Sequence, residues 1–432
     1  MMENISVNEL VESSSSDLPR ELKLTFAKNI LSTKKEPAEA RKEFSELIKK
    51  LNMKKQQNVI NATGTVLHTN LGRSPTNISY SGSYTNVEYD LTTSSRGDRN
   101  SYLTESMKTL LNAEDVTFVN NNASSLYLTL LSLSKKYSKD SVIVSRGEII
   151  EIGGSYRLPD IIFETGMKLI EVGTTNKTRI DDYKDALKIN PNAILLKVHR
   201  SNFSISGFTE EVDIKQLNIL KNEYASLLIH DLGSGLVADN AFLSKNNLTM
   251  FQKEPRVQQS LKDGSDIVMF SGDKLFGSLQ SGIIAGKTKI VQAIKSFSIF
   301  RTYRCSPVVL YELQETTDFY IKKSEEKIPF WNLLTKPYDE LELRIHKIIK
   351  DASFNYRIIK GKSLIGGGTL PNITMESPVL VLDTNNNVEI LSKLLNNKTP
   401  IIPRMTDGNI NLDIRSVFEI QDNEIAEFLN LI

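Results

Sequence analysis

Residues 267–277 read IVMFSGDKLFG, and this stretch decides how the chain is read. Four apolar, β-prone residues run into Ser-Gly-Asp, and Lys274 follows at once. A run this short and this apolar, closed by a glycine turn, reads as a buried strand with a lysine at its C-terminal end. Working outward, comparable runs stand at 116–119, 142–144, 169–172, 193–198 and 227–230. Helix-like segments at 124–135, 181–187, 214–224 and 256–262 lie between most of them. Alternation of this kind predicts an α/β unit with a mostly parallel sheet covered on both faces. Ligands in such folds sit beyond the C-terminal ends of the strands, so the chemistry belongs in the loops after each run.

Three of those loops stand out. After 116–119 come Asn120, Asn121, Asn122, Ala123 and Ser124, opening a helix. Backbone N–H groups at such a helix start favour an anion, although helix capping by Asn and Ser would also explain the composition. After 227–230 comes Asp231-Leu232-Gly233-Ser234-Gly235, where the acid is a metal ligand, a cofactor partner or a turn residue. After 267–270 comes Lys274, with Ser271 three residues before it. A desolvated lysine has a lowered pKa and forms a Schiff base more readily. In this order the three loops have the layout that pyridoxal 5′-phosphate needs. The turn takes the phosphate, the acid faces the pyridine nitrogen and the lysine is the covalent anchor.

The flanks differ. Residues 1–57 carry a serine run at 13–16 and then a basic helix-like segment. From 41 to 55 there are six bases (Arg41, Lys42, Lys49, Lys50, Lys54 and Lys55) against two acids, Glu43 and Glu46, a local charge of +4. Leu47, Ile48 and Leu51 form an apolar stripe, so the segment is an amphipathic helix, either simply solvated or touching RNA phosphates. After about residue 310, helical patterns at 308–323 and 339–350, strands at 379–382 and 411–414, and a closing helix at 423–429 suggest a smaller α+β unit. The expected division is a helical N-terminal module (1–57), a catalytic domain (58–310) and a small C-terminal domain (311–432). With 53 Lys plus Arg against 52 Asp plus Glu, the net charge of +1 excludes nucleic-acid binding by bulk charge. One cysteine, Cys305, excludes an internal disulfide and a cysteine zinc site. His68, His199, His230 and His346 show no metal-ligand spacing, so no metal is expected. The start of the chain is polar and acidic, and no apolar run is of spanning length, so no membrane association and a cytoplasmic location are expected.

A resemblance sharpens this reading. The blocks INATGTVLHTNLGRSP (60–75), EYDL with RGDR (88–99), FVNNNAS (118–124), VSRGEIIEIGGSYRLPD (144–160) and EVGTTNKT (171–178) are followed by LLKVHRSNFSISGFTEEV (195–212) and DLGSG (231–235). FSGDKLFGSLQSGIIAG (270–286), GGGTLP (366–371) and IPRMTDGNINLDIRSV (402–417) complete the set. In sequence and order these resemble the bacterial selenocysteine synthases, the L-seryl-tRNA(Sec) selenium transferases, which are fold-type I pyridoxal phosphate enzymes. The resemblance implies an aspartate-aminotransferase-like large domain and a pyridoxal phosphate cofactor. It implies conversion of seryl-tRNA(Sec) to selenocysteinyl-tRNA(Sec), by loss of the serine hydroxyl and addition of selenium from selenophosphate. By position it implies Lys274 as covalent anchor and proton shuttle, and Asp231 as the partner of the pyridinium nitrogen. It places Asn121, Asn122, Ala123, Ser271 and His199 around the cofactor, and Arg96, Arg99, Arg301 and Arg304 at the selenium donor. It further implies tRNA contact through the N-terminal module and a homo-oligomer built from dimers, a decamer in the family.

The chain departs from the family at four places. Residues 76–87 are too polar for the helix usual there, and Ser278-Leu279 replace a Gly-Pro turn. Ser306-Pro307 replace an acid–lysine pair, and Arg200 stands in the block after His199. Two other readings stay open on sequence: a related pyridoxal phosphate enzyme acting on a small amino sugar phosphate or amino acid, and a non-catalytic tRNA-binding relative.

Overall fold

The computed structural model describes residues 5–431 except 34, 79–82, 155, 367–368, 371–372 and 385. Part of the polar stretch 76–87 and part of the GGGTLP block therefore lie outside the described residues.

The run at 267–270 forms the strand Ile267–Ser271, buried along its length. It lies inside a seven-stranded sheet. The spatial order is Asp115–Val119, Gly282–Gly286, Ile267–Ser271, Leu227–Gly233, Ala193–Val198, Ser141–Ser145 and Lys168–Val172. From Ile267–Ser271 outward through Leu227–Gly233 to Lys168–Val172 every pairing is parallel. Gly282–Gly286 runs antiparallel to both of its neighbours. That reversed strand escaped the sequence reading because GIIAG is short and bounded by glycines, which read as turns. The central strands are apolar without alternation because both faces are covered. Leu126, Leu130, Ile162, Ile290 and Ile294 pack against one face, and Tyr183, Leu187, Leu217 and Leu220 against part of the other.

A second, six-stranded sheet has the order Ile60–Ala62, Ile401–Thr406, Asn409–Asp413, Thr374–Leu382, Tyr356–Gly366, Thr65–Leu67. Leu341, Ile345 and Ile348 of the helix Tyr338–Ile348 and Ile425 and Phe428 of the last helix cover it. The packing crosses both expected boundaries. Ile60–Ala62 and Thr65–Leu67, assigned by sequence to the catalytic domain, pair with strands from the end of the chain. At the other boundary, Leu310, Leu313, Tyr320, Phe330 and Trp331 pack with Phe270 and Phe276 of the large unit, so its core extends past residue 310 to the helix Pro329–Thr335. Three-residue strands have no readable period, and which core a helix joins is decided by contacts distant in sequence.

The N-terminal module consists of the helices Val7–Glu12, Arg20–Ser32 and Pro37–Lys54 around their own small core of Leu10, Val11, Ala27, Ile30, Phe44 and Ile48. Among the described residues no helix is long and apolar enough to cross a membrane.

Candidate active site

Lys274 leaves the end of Ile267–Ser271 on a loop that is tied down on every side. Gly272 N–H donates to the Ser281 carbonyl (2.9 Å), Leu275 N–H to the Ser234 carbonyl (3.0 Å) and Gly277 N–H to the Lys274 carbonyl (3.0 Å). The Tyr320 hydroxyl donates to the Phe276 carbonyl (3.0 Å) and itself accepts the Trp331 indole N–H (2.7 Å). Asp273, buried beside Lys274, accepts from the Ser271 hydroxyl (2.5 Å) and from the Arg73 guanidinium (2.7 Å). Burial of the Lys274 amine lowers its pKa, and the Arg73 charge acts in the same direction; Asp273, Asp231 and Glu254 oppose them.

Asp231 arrives from the next strand. A register shift between Asp231 and Gly233 disturbs the pairing there, and Gly233 takes up a left-handed φ of +62°. The Asp231 side chain is buried and accepts from the Asn122 amide at 2.8 Å. Desolvation raises its pKa, while the Asn122 amide, the Lys274 charge and the Gly233 N–H pull it back. A Cβ placed on Gly233 would lie 3.8 Å from Lys274 Nζ and 4.0 Å from Asp231 Oδ1, so amine and carboxylate converge on one small space. The helix Asn122–Tyr137 points its N-terminus at the same place. Asn121 is its N-cap, accepting Ser124 N–H at 2.8 Å, and Ala123 lies in its first turn. Gly282 of the reversed strand allows this close approach, since a Cβ there would fall 2.3 Å from the Asn121 carbonyl oxygen. His199 stands at the end of Ala193–Val198. Its N–H donates to the Asp231 carbonyl (2.8 Å) and its ring Nε2 lies 3.0 Å from Glu254.

Lys274, Asp231, Asn121, Asn122, Ala123, Ser271 and His199 are thus brought to one end of one sheet. Within this cluster Ser271 directs its hydroxyl at Asp273, and Asn122 directs its amide at Asp231. Three of the four arginines gather about Glu88. Arg96 and Arg99 each bond Glu88 at 2.9 Å, Arg304 lies 3.9 Å from it, and together they hold its carboxyl below the usual range, the Arg99 hydrogen bond most of all. Arg99 also donates to the Cys305 carbonyl (2.9 Å), while Arg301 is exposed in the turn Ser298–Tyr303. Among the described residues none of the four makes a hydrogen bond or ion pair with Lys274 or Asp231. Burial pushes the Cys305 thiol up to about 12, which keeps it protonated and unreactive. The sequence reading gave no role to Arg73, Glu88, Asp273 or Glu254. Arg73 and Glu88 stood inside quoted blocks and Asp273 beside Lys274, but Glu254 carried no local signal at all.

The six basic residues from 41 to 55 lie on or just beyond the helix Pro37–Lys54, all exposed, and none of these six forms an ion pair with another described residue.

Comparison with known proteins agrees with this geometry. The family model for L-seryl-tRNA selenium transferase matches residues 59–418. The L-seryl-tRNA(Sec) selenium transferase of Campylobacter fetus subsp. fetus is 39% identical over 380 residues, covering 86% of this chain and 83% of the relative. That of Clostridium perfringens is 40% identical over 377 residues, covering 84% and 79%. Among solved structures, D-glucosaminate-6-phosphate ammonia-lyase superposes with a TM-score of 0.60 at 16% identity, over 89% of this chain and 97% of that one, a likeness of fold. The fold is that of the fold-type I pyridoxal phosphate enzymes, and, with its family model spanning the whole of the Lys274 and Asp231 site, this chain belongs to the L-seryl-tRNA selenium transferase family.

Proposed function

We propose that this chain converts L-seryl-tRNA(Sec) to L-selenocysteinyl-tRNA(Sec) with pyridoxal 5′-phosphate held at Lys274, and that selenophosphate is the selenium donor. The observation that carries the reading is the convergence of a desolvated lysine amine and a buried carboxylate at the N-terminus of one helix, in a member of this family. The residues suit the cofactor. Asn122 Oδ1 is buried with no hydrogen-bond partner among the described residues, and a cationic ring nitrogen would relieve the desolvated Asp231. The helix start favours a phosphate.

When bound, the cofactor supplies an electron sink that lets the serine Cα–H bond break and the β-hydroxyl leave. The chain's own residues do the rest. Lys274, whose lowered pKa favours the free amine, anchors the aldehyde and moves the Cα proton. Asp231 holds the proton on the ring nitrogen, and the Asn122 amide fixes that carboxylate. The Arg73–Asp273 pair and the Ser271 hydroxyl keep the lysine loop in place.

The arginines about Glu88 suit a doubly charged donor. That within one chain they bond Glu88 and neither Lys274 nor Asp231, beside exposed Leu91 and Tyr102, supports a homo-oligomer in which a second copy brings them to the site. The unpaired bases of the N-terminal module support tRNA contact there, and an aminoacyl-tRNA substrate implies a cytoplasmic enzyme. The test is incubation of the protein with pyridoxal phosphate, seryl-tRNA(Sec) and selenophosphate, followed by analysis of the amino acid released from the tRNA. Selenocysteine is expected; serine alone, with no absorbance of a lysine-bound cofactor, overturns the proposal.

A further inference from the structure

Glu254 is a carboxylate that the chemistry above does not use, yet its side chain is only 3% exposed. It closes the short helix Thr249–Lys253, with its N–H donating to the Phe251 carbonyl, just ahead of Pro255 and the helix Val257–Lys262. Acids are seldom kept inside a protein without a partner. The partner here is the imidazole of His199, whose Nε2 lies 3.0 Å from Glu254 Oε1. His199 is attached to the site at a second point, because its backbone N–H donates to the Asp231 carbonyl at 2.8 Å. The ring is thus held between a buried carboxylate and the strand that carries Asp231. Both residues border the site: His199 through its backbone bond to Asp231, and Glu254 through its charge, which acts on the Lys274 amine.

We propose that Glu254 is a positioning residue that accepts the His199 Nε2–H, holding the imidazole in one orientation and one tautomer beside Asp231. A carboxylate can only accept, so it selects the Nε2-protonated ring and leaves Nδ1 as the lone-pair atom. A ring left free to turn or to exchange tautomers would present the site with a varying donor and acceptor. The proposal rests on the reading of Lys274 and Asp231 as the cofactor site.

The test uses the full chain labelled with ¹⁵N-histidine, with and without pyridoxal phosphate. Its four histidines are few enough to assign by substitution, with His199→Ala identifying the relevant signal. A protonated Nε2 on His199 is expected in both states, and an unprotonated Nε2 overturns the proposal without any change at position 254. Glu254→Met should give a mixture of tautomers and change the absorbance of the bound cofactor. It should lower kcat about tenfold to a hundredfold, as when the partner that fixes a histidine is removed elsewhere. KM for seryl-tRNA(Sec) should stay within about twofold. Glu254→Gln, which keeps an acceptor oxygen, should restore the single tautomer. Introducing Glu254→Met into a His199→Ala background should add nothing further; losses that multiply would show that Glu254 acts independently of His199. A protein that neither binds the cofactor nor forms selenocysteine would refute the reading of the site, whereas the tautomer seen in the cofactor-free chain judges Glu254 alone.

Discussion

Lys274 and Asp231 are both shifted by burial, in opposite senses, and each shift has a measurable consequence. The lysine's folded pKa lies below its ordinary 10.5, so between that lowered value and 10.5 the unfolded chain binds a proton that the native chain does not. Stability of the cofactor-free protein therefore gains from rising pH across this window. Lys274→Met should be more stable than its parent near neutrality, with the advantage shrinking as the pH nears 10.5. Urea unfolding at a series of pH values checks this; an advantage that stays constant would contradict it. Asp231→Asn should still bind pyridoxal phosphate but lose activity by about a hundredfold or more, because an amide cannot hold the ring nitrogen protonated. Turnover like that of the wild type in this variant would remove Asp231 from the mechanism. Arg304→Ala should raise the selenophosphate requirement by about tenfold or more, the loss of one charge-assisted contact of roughly 1.5–3 kcal/mol, and leave tRNA affinity unchanged. Loss of tRNA affinity with normal donor dependence would instead assign this arginine to the RNA. The residue types at these positions were legible because lysine, acid and amide each end a strand or open a helix. Glu254 was not legible, since a glutamate 55 residues from its histidine carries no spacing that a sequence can display.

At the scale of elements, the helices Pro307–Ile321 and Pro329–Thr335, which the sequence pattern placed largely in a separate C-terminal domain, brace the lysine loop. Tyr320 and Trp331 are fully buried; the Tyr320 hydroxyl reaches across to the Leu275 and Phe276 carbonyls and accepts the Trp331 indole N–H. Tyr320→Phe keeps the ring packing but leaves the Trp331 N–H and the Phe276 carbonyl without this partner. The expected cost is about 1–3 kcal/mol, read as a lower urea midpoint with an unchanged slope. A variant with the wild-type midpoint would show that the aromatic packing alone holds the loop.

For the whole molecule, the N-terminal module has its own core and meets the C-terminal domain across a polar groove. Ser14, Ser16, Lys49 and Asn52 line one side of it, and Asn396 and Asn397 the other. A contact of this kind predicts that the module can be removed without unfolding the remainder. A protein that starts at Val59 should fold and bind pyridoxal phosphate, yet lose tRNA affinity. Binding by the full chain should weaken steeply with salt, because its net charge of +1 leaves only local bases to meet the phosphates. Normal conversion of seryl-tRNA(Sec) by the shortened protein would move the RNA site to the rest of the chain.

By itself the sequence determined the α/β class, the strand ends that carry Lys274 and Asp231, the helix opened by the Asn120–Ser124 loop, and, through its long blocks, the family. These are local properties: a buried strand must be apolar along its length, and the loop beyond it must carry the chemistry. Tertiary structure alone decided that residues 60–67 complete the C-terminal sheet and that Gly282–Gly286 runs backwards. It alone gathered Arg96, Arg99 and Arg304 about Glu88 and set Glu254 against His199. Each of these joins residues far apart in the chain, and such pairings are selected by the closing of cores and the neutralisation of buried charge, which no local pattern encodes.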